Sequence, residues 1–221
     1  MIDTSFREPA PVEVPIDGVL TGFLLKPQGA VGLVISANGR GSSKYSRRDR
    51  AVADVLARGR LASLLLDLLT EEEQAHDERI GEPRVDIPLM AGRLIQAIDW
   101  AEQYPRTRDL PLGLFGESTG AAAALCGAAE RPRLVRALVC RGGRTDLAAG
   151  ALSQILAPTL LLVGALDREV LRLNREAARQ MPVQPRLEIV TGATHLFEEA
   201  GKLDTVALEA RDWFLSHLRR S

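Results

Sequence analysis

The sequence predicts a single α/β domain with a mostly parallel central sheet, helices on both faces and no large lid. Three observations lead there. Short apolar runs recur along the chain without apolar–polar alternation, as strands covered on both faces require. Each run passes through a loop containing Gly or Asp into a helix-like stretch, the order from which parallel sheets are built. The 221 residues suffice to bury one core without disulfides or metal. No repeat or Gly/Ser linker divides them, so 1–221 is read as one domain, with 1–30 giving hairpin strands and 31–221 the core.

The elements follow in order. Runs 12–16 and 19–25 flank Asp17-Gly18, a tight-turn pair, so these first strands are expected to be antiparallel. Val31-Gly-Leu-Val-Ile-Ser36 is a buried strand entering the Gly-rich loop Ala37-Asn-Gly-Arg-Gly-Ser-Ser43. A helix over 48–58 and a strand over 61–66 come next. Ile87, Ala91, Leu94, Ile98 and Ala101 keep helical spacing, and Pro105 marks where that helix has ended. Strand 112–115 runs straight into Gly116-Glu-Ser-Thr-Gly120, and the Ala-rich stretch 121–129 is the helix behind it. Further strands are expected at 137–140, 159–163 and 187–190. Leu203, Ala207, Ala210 and Phe214 give a closing helix one apolar face. Ligands of such sheets bind beyond the carboxyl ends of the strands.

Composition excludes several classes. Lys plus Arg is 28 against 29 for Asp plus Glu, a net charge of −1 without the basic excess of a nucleic-acid binder. Apolar residues make up 46% and charged ones 26%, a folded-domain ratio. Cys126 and Cys140 are the only cysteines and form no CxxC. That argues against a disulfide scaffold or a Cys-rich zinc module and for a reducing compartment. The N-terminus carries Asp3, Arg7 and Glu8 and has no apolar core of signal-peptide length. The most apolar stretch, 155–166, contains Pro158 and Gly164 and falls short of the ~20 residues of a membrane span. A soluble, cytoplasmic protein acting on small molecules is expected, with neither nucleic acid nor membrane as partner.

Gly116-Glu117-Ser118-Thr119-Gly120 fits G-x-S-x-G between a strand and a helix. Such a turn lifts the serine hydroxyl above the sheet in a backbone where neighbouring side chains would clash, and Gly at both flanks removes the clash. A helix starting there also aims unpaired N–H groups at the reacting atom. The bland alternative is an ordinary Gly-flanked strand-to-helix turn. A serine hydroxyl needs a base within hydrogen-bond reach. Of the three histidines, His76 lies in the charge-dense stretch 71–78, a solvated segment or at most a loose metal cluster. His217 is in register with Ala210 and Trp213 in the last helical turn, where packing or dipole compensation explains it. His195 follows a strand, in Thr191-Gly-Ala-Thr-His195-Leu-Phe, and is the base candidate on the expected rim. The acid that orients it should also follow a strand. Asp167 does so after Thr159-Leu-Leu-Leu-Val163. Asp146 is its competitor, Glu169 a weaker one, and a salt bridge to Arg168 or Arg172 the non-catalytic alternative. The order Ser118, Asp167, His195 is that of α/β-hydrolases.

Three pieces, GLFGESTGAAAAL, APTLLLVGALD and TGATHLFEE, occur in the order expected of that superfamily. From about Val31 onwards the sequence resembles α/β-hydrolases and, among them, the small dienelactone-hydrolase-like group. The resemblance implies an α/β-hydrolase fold and a cofactor-free hydrolase of esters and lactones. Two departures stand out. Dienelactone hydrolases proper carry Cys where Ser118 stands, so a chlorinated-lactone substrate does not carry over. The loop after the third strand, commonly His-Gly in the superfamily, is here Asn38-Gly39.

In this scheme His195 takes the proton of Ser118 and Asp167 fixes the imidazole. The backbone N–H groups of Thr119 and Arg40 receive the oxyanion. Gly39 and Gly41 let the loop turn its amides inward, or simply make it a pliable connection. Asn38, Gly39, Gly41, Glu117 and Arg144 are the candidate substrate contacts. Glu117 either pairs with an arginine such as Arg141 or Arg144, or acts on the imidazole or substrate. Arg40, Lys44, Arg47, Arg48, Arg141 and Arg144 either bind a substrate carboxylate or form a solvated face. The connection 141–158 is too short for a large helical lid, so small soluble esters are expected. Thioesters, activated phosphotriesters or a catalytically silent binding role are the alternatives. Cys126 is expected to be a buried thiol.

Overall fold

The structure, a computed structural model, describes residues 10–16, 19–38, 45–70, 72–73 and 86–219. Its strands are β1 (Ala10–Pro15), β2 (Val19–Leu25), β3 (Gly32–Asn38), β4 (Leu61–Asp67), β5 (Leu112–Glu117), β6 (Val135–Arg141), β7 (Thr159–Gly164) and β8 (Arg186–Val190). They form one eight-stranded sheet in the order β1-β2-β4-β3-β5-β6-β7-β8. β2 runs antiparallel to β1 and β4, and every other pair is parallel. The predicted antiparallel start is therefore present, with Pro15 opposite Val19; the Asp17-Gly18 turn itself lies outside the described residues.

The described helices are α1 (Arg47–Arg58), α2 (Ile87–Gln103), α3 (Thr119–Glu130), α4 (Arg168–Ala178) and α5 (Lys202–Leu218). They cover both faces. Leu33, Ile35, Leu114, Leu138 and Leu161 point to one side, where α2 and α3 close the larger core with Leu94, Ile98 and Ala121 to Leu125. Val34, Phe115, Val139, Leu160 and Leu162 point to the other, against α1 and α5 through Leu56, Ala210 and Phe214. This alternation between two buried faces is why β3, β5 and β7 are buried at every position and show no polar period. The alanines of α3 let that helix lie close on the sheet.

Two features were not visible in the sequence pattern. Helix α4 buries Val170, Leu171, Asn174, Ala177 and Ala178, a helical stripe broken by a polar residue. The β6–β7 connection contains two short 3-10 turns, Thr145–Ala148 and Leu152–Gln154, which the sequence pattern did not show, and no larger helix, as its length predicts. Among the described residues, no helix is long and apolar enough to cross a membrane.

Candidate active site

Ser118 sits between the end of β5 and the start of α3 with φ 50° and ψ −117°. A non-glycine residue in such a conformation is strained and persists only where its surroundings over-determine it. Three backbone hydrogen bonds do so. Ser118 N–H donates to the Arg141 carbonyl at 3.1 Å, and the Ser118 carbonyl accepts from Ala121 at 3.2 Å and Arg144 at 3.0 Å. Gly116 is required for the same turn, because a Cβ there would lie 2.5 Å from Ala121 Cα. The helix thus folds back onto the strand it leaves, and only hydrogen fits between them.

Asp167 and His195 come together at the carboxyl ends of β7 and β8, with His195 Nδ1 2.6 Å from Asp167 Oδ2. Their loops are joined by the backbone. Ala165 N–H donates to Val190 and Leu166 N–H to Ala193, each at 3.0 Å. Gly164 permits this approach: a Cβ there would meet the Ala193 and Thr194 carbonyl oxygens at 2.4 and 2.6 Å. The Asp167 side chain is 16% exposed and that of His195 38%, so the carboxylate is shielded while the imidazole remains open to solvent. The ring lies beside Gly142, whose Cβ position is 3.3 Å from His195 Cε1. Gly142 follows Arg141, the residue whose carbonyl holds Ser118. The imidazole therefore lies against the loop that fixes the serine.

Further contacts hold the histidine loop. Phe197 is fully buried among the α5-side core residues and takes a positive φ of 55°. Arg48 at the start of α1 reaches Glu198 at 2.7 Å. Glu199 accepts the Thr194 N–H at 3.0 Å, and hydrogen bonding, first from the Thr194 side chain and less from backbone N–H groups, keeps its carboxyl below the ordinary range. Asn174 of α4 is buried and donates Nδ2 to the carbonyls of Gly143 and Val170, both at 2.8 Å. It ties the helix headed by Asp167 to the loop beside His195. Gly164, just after the predicted strand 159–163 and the last residue of β7, was a readable signal for such an approach. The conformation of Phe197 left none.

The other predicted residues divide clearly. Asp146, the competing acid, forms a two-pronged pair with Arg144 at 2.9 and 2.7 Å, which lowers its pKa, while Asp167 meets the imidazole. Asn38 ends β3 and donates Nδ2 to Asp67 at 3.3 Å, holding the ends of β3 and β4 together. Glu117 is buried in an ion pair with Arg141, whose guanidinium also lies 3.6 Å from Asp49 of α1 and 5.8 Å from the Phe115 ring centre. Burying these charges without partners would be costly. Thr119 begins α3 and is buried. Gly39, Arg40, Gly41 and Lys44, with His76, lie outside the described residues.

His217 is bonded to the Trp213 carbonyl at 2.8 Å and its ring rests on that indole, a packing role. Cys126 corrects an expectation. It is only partly buried, because its turn of α3 faces a hollow lined by Ile87, Pro88 and Leu147. Desolvation, with a smaller effect of Glu130, raises its pKa. Cys140 is the fully buried thiol, pushed up to about 12 by burial.

No protein-family model matches the chain. The crystal structure of dienelactone hydrolase from Anabaena variabilis is 49% identical, covers 96% of this chain and 99% of its own, and superposes with a TM-score of 0.92. Est1E from Butyrivibrio proteoclasticus shares the fold at 15% identity, with 93% of this chain and 98% of that chain covered and a TM-score of 0.78. A protein of Mycobacterium tuberculosis named "Putative phosphoribosyl transferase" is 48% identical over 199 residues, which are 90% of this chain. The chain spans 44% of that longer relative. Near-complete overlap with the Anabaena protein, on one eight-stranded sheet, means that the chain belongs to the dienelactone-hydrolase-like family of α/β-hydrolases.

Proposed function

We propose that the protein is a serine hydrolase of small carboxylic esters or lactones that works through an acyl-enzyme on Ser118. The observation that carries this reading is the 2.6 Å contact between His195 and Asp167, made beside the loop that clamps the strained Ser118 turn. Ser118 Oγ attacks the ester carbonyl carbon while His195 Nε2 accepts its proton. Asp167, bonded to Nδ1, holds that tautomer and stabilises the imidazolium. The Thr119 N–H at the head of α3 receives the oxyanion, with Arg40 N–H as the second donor. One such donor is worth ~3 kcal/mol, about a hundredfold in rate. Collapse expels the alcohol, which takes the proton from His195. Water then attacks the acyl-enzyme with His195 again as base, releasing the acid and restoring Ser118.

Among the described residues the short β6–β7 connection adds no large cover to the rim, which favours small soluble substrates. The M. tuberculosis relatives, of whose length this chain spans 44%, bear the name "Putative phosphoribosyl transferase", which says nothing of the matched part by itself. Both cysteines are unpaired, in keeping with a reducing, cytoplasmic setting. A fluorophosphonate probe tests the proposal. Stoichiometric labelling and p-nitrophenyl acetate hydrolysis are expected, both lost in Ser118→Ala. Absence of labelling in folded wild-type protein would make the chain a silent binding domain.

A further inference from the structure

A second concave site lies at the opposite end of the sheet, where β5 and β6 begin and α5 ends. A cavity of about 360 Å³ is walled there by Arg108, Arg133, Arg136 and Arg219, with Glu102 as the one carboxylate of its lining. Its lining is mostly polar, with Leu110, Pro111 and Leu134 adding a smaller apolar part. The volume falls at the lower end of the ~300–1,000 Å³ range of small-molecule sites.

Four exposed arginines gather around this one hollow, and it is their grouping, not the lack of an ion pair (shared by Arg58, Arg60, Arg175 and Arg179 elsewhere), that sets them apart. Arg93, Arg131, Arg144 and Arg172 each form a close pair with Asp or Glu. Among the described residues, Arg133, Arg136 and Arg219 have no ion-pair partner, and Arg108 approaches Asp109 only at 3.8 Å. A cation at a helix carboxyl end offsets the helix dipole, which accounts for Arg219 at the end of α5. That explanation does not extend to Arg136, which is in strand β6, or to Arg133, in the turn before it. Like charges drawn around one hollow repel one another and concentrate positive potential within it. A doubly charged anion relieves that repulsion, and the planar guanidinium fork matches phosphate oxygens two at a time.

We propose that this cavity binds a phosphate monoester of a small organic molecule. The phosphate sits among Arg133, Arg136 and Arg219, and the organic part rests on Leu110, Pro111 and Leu134. The site is remote from Ser118 and does not depend on the hydrolytic reading. Calorimetric titration with phenyl phosphate at low salt tests it, using wild type, Ser118→Ala and the double variant Arg133→Gln/Arg136→Gln. Both arginines are exposed, so the double variant should fold, and circular dichroism checks that it does. Saturable one-site binding is expected in wild type and in Ser118→Ala. Losing two charge-assisted contacts should weaken it by about tenfold or more in the double variant. A smaller loss in the folded double variant, or no saturable binding to wild type, overturns the proposal.

Discussion

Gly164→Ala adds one methyl group at the end of β7, and the structure sets what that group must displace. Its Cβ would start 2.4 Å from the Ala193 carbonyl oxygen and 2.6 Å from that of Thr194. Real Cβ atoms do not approach closer than 3.0 Å, so one side must retreat by about 0.6 Å, and by about 1 Å to reach ordinary contact at 3.4 Å. β7 cannot give way easily, since it is buried along its length and paired on both edges. The loop of residues 193–195 therefore moves and carries the imidazole with it, while Ser118 stays fixed by β5 and Arg141. A displacement of ~1 Å from reacting geometry costs about a hundredfold in rate. For p-nitrophenyl acetate, kcat should fall by about that factor with KM changed less than about threefold, because no substrate contact is removed. Overpacking of this kind also costs ~1–3 kcal/mol of stability, visible as a lower Tm. Gly150→Ala is the control, since a Cβ there meets nothing within 4 Å. If Gly164→Ala keeps wild-type kcat while its Tm falls, the histidine loop moves without consequence and His195 is not the base.

The acid assignment is tested by Asp167→Asn against Asp146→Asn. The first should lose about 10⁴-fold in kcat through the wrong imidazole tautomer, and the second only a few-fold, since Asp146 is held by Arg144. The reverse result would transfer the role to Asp146. Away from the site, hydrogen bonds from the buried Arg93 lower the Glu73 pKa from 4.5 to about 2. The folded-state value lies below the unfolded one. The pair's contribution is therefore complete above about pH 4.5 and is lost as pH falls towards 2. In urea unfolding, the stability gap between wild type and Glu73→Gln should be level at neutral pH and should narrow between about pH 4.5 and 2. A gap of constant size across that interval contradicts the assignment.

The sheet was legible because strands buried on both faces appear as unbroken apolar runs, and because Gly116 and Gly120 flank a serine where a strand becomes a helix. Asp167 and His195 could be placed by their position after strands alone. Their pairing was an expectation with Asp146 as its competitor, and the fold separates the two by matching that carboxylate with Arg144 while Asp167 meets the imidazole. The missed parts share a physical cause. Helix α4 escaped because Asn174 occupies a core position of its stripe, interrupting the apolar period. Phe197 escaped because positive φ at a bulky residue is imposed by tertiary packing and leaves no local pattern.

These same exceptions surround the candidate site. Asn174 bonds to Gly143, Arg141 bonds to Ser118 through its carbonyl and pairs with Glu117, and Gly142 between them lies against the imidazole. A buried amide and a buried guanidinium are poor choices for stability alone, because apolar residues of like volume would fill both places without desolvating polar groups. Their hydrogen bonds and charges instead fix the backbone of residues 141–143 in one position, the segment from which Ser118 is held on one side and His195 supported on the other. The polar residue that hides α4 from a pattern reading thus belongs, with Arg141, to the shell that supports the candidate site.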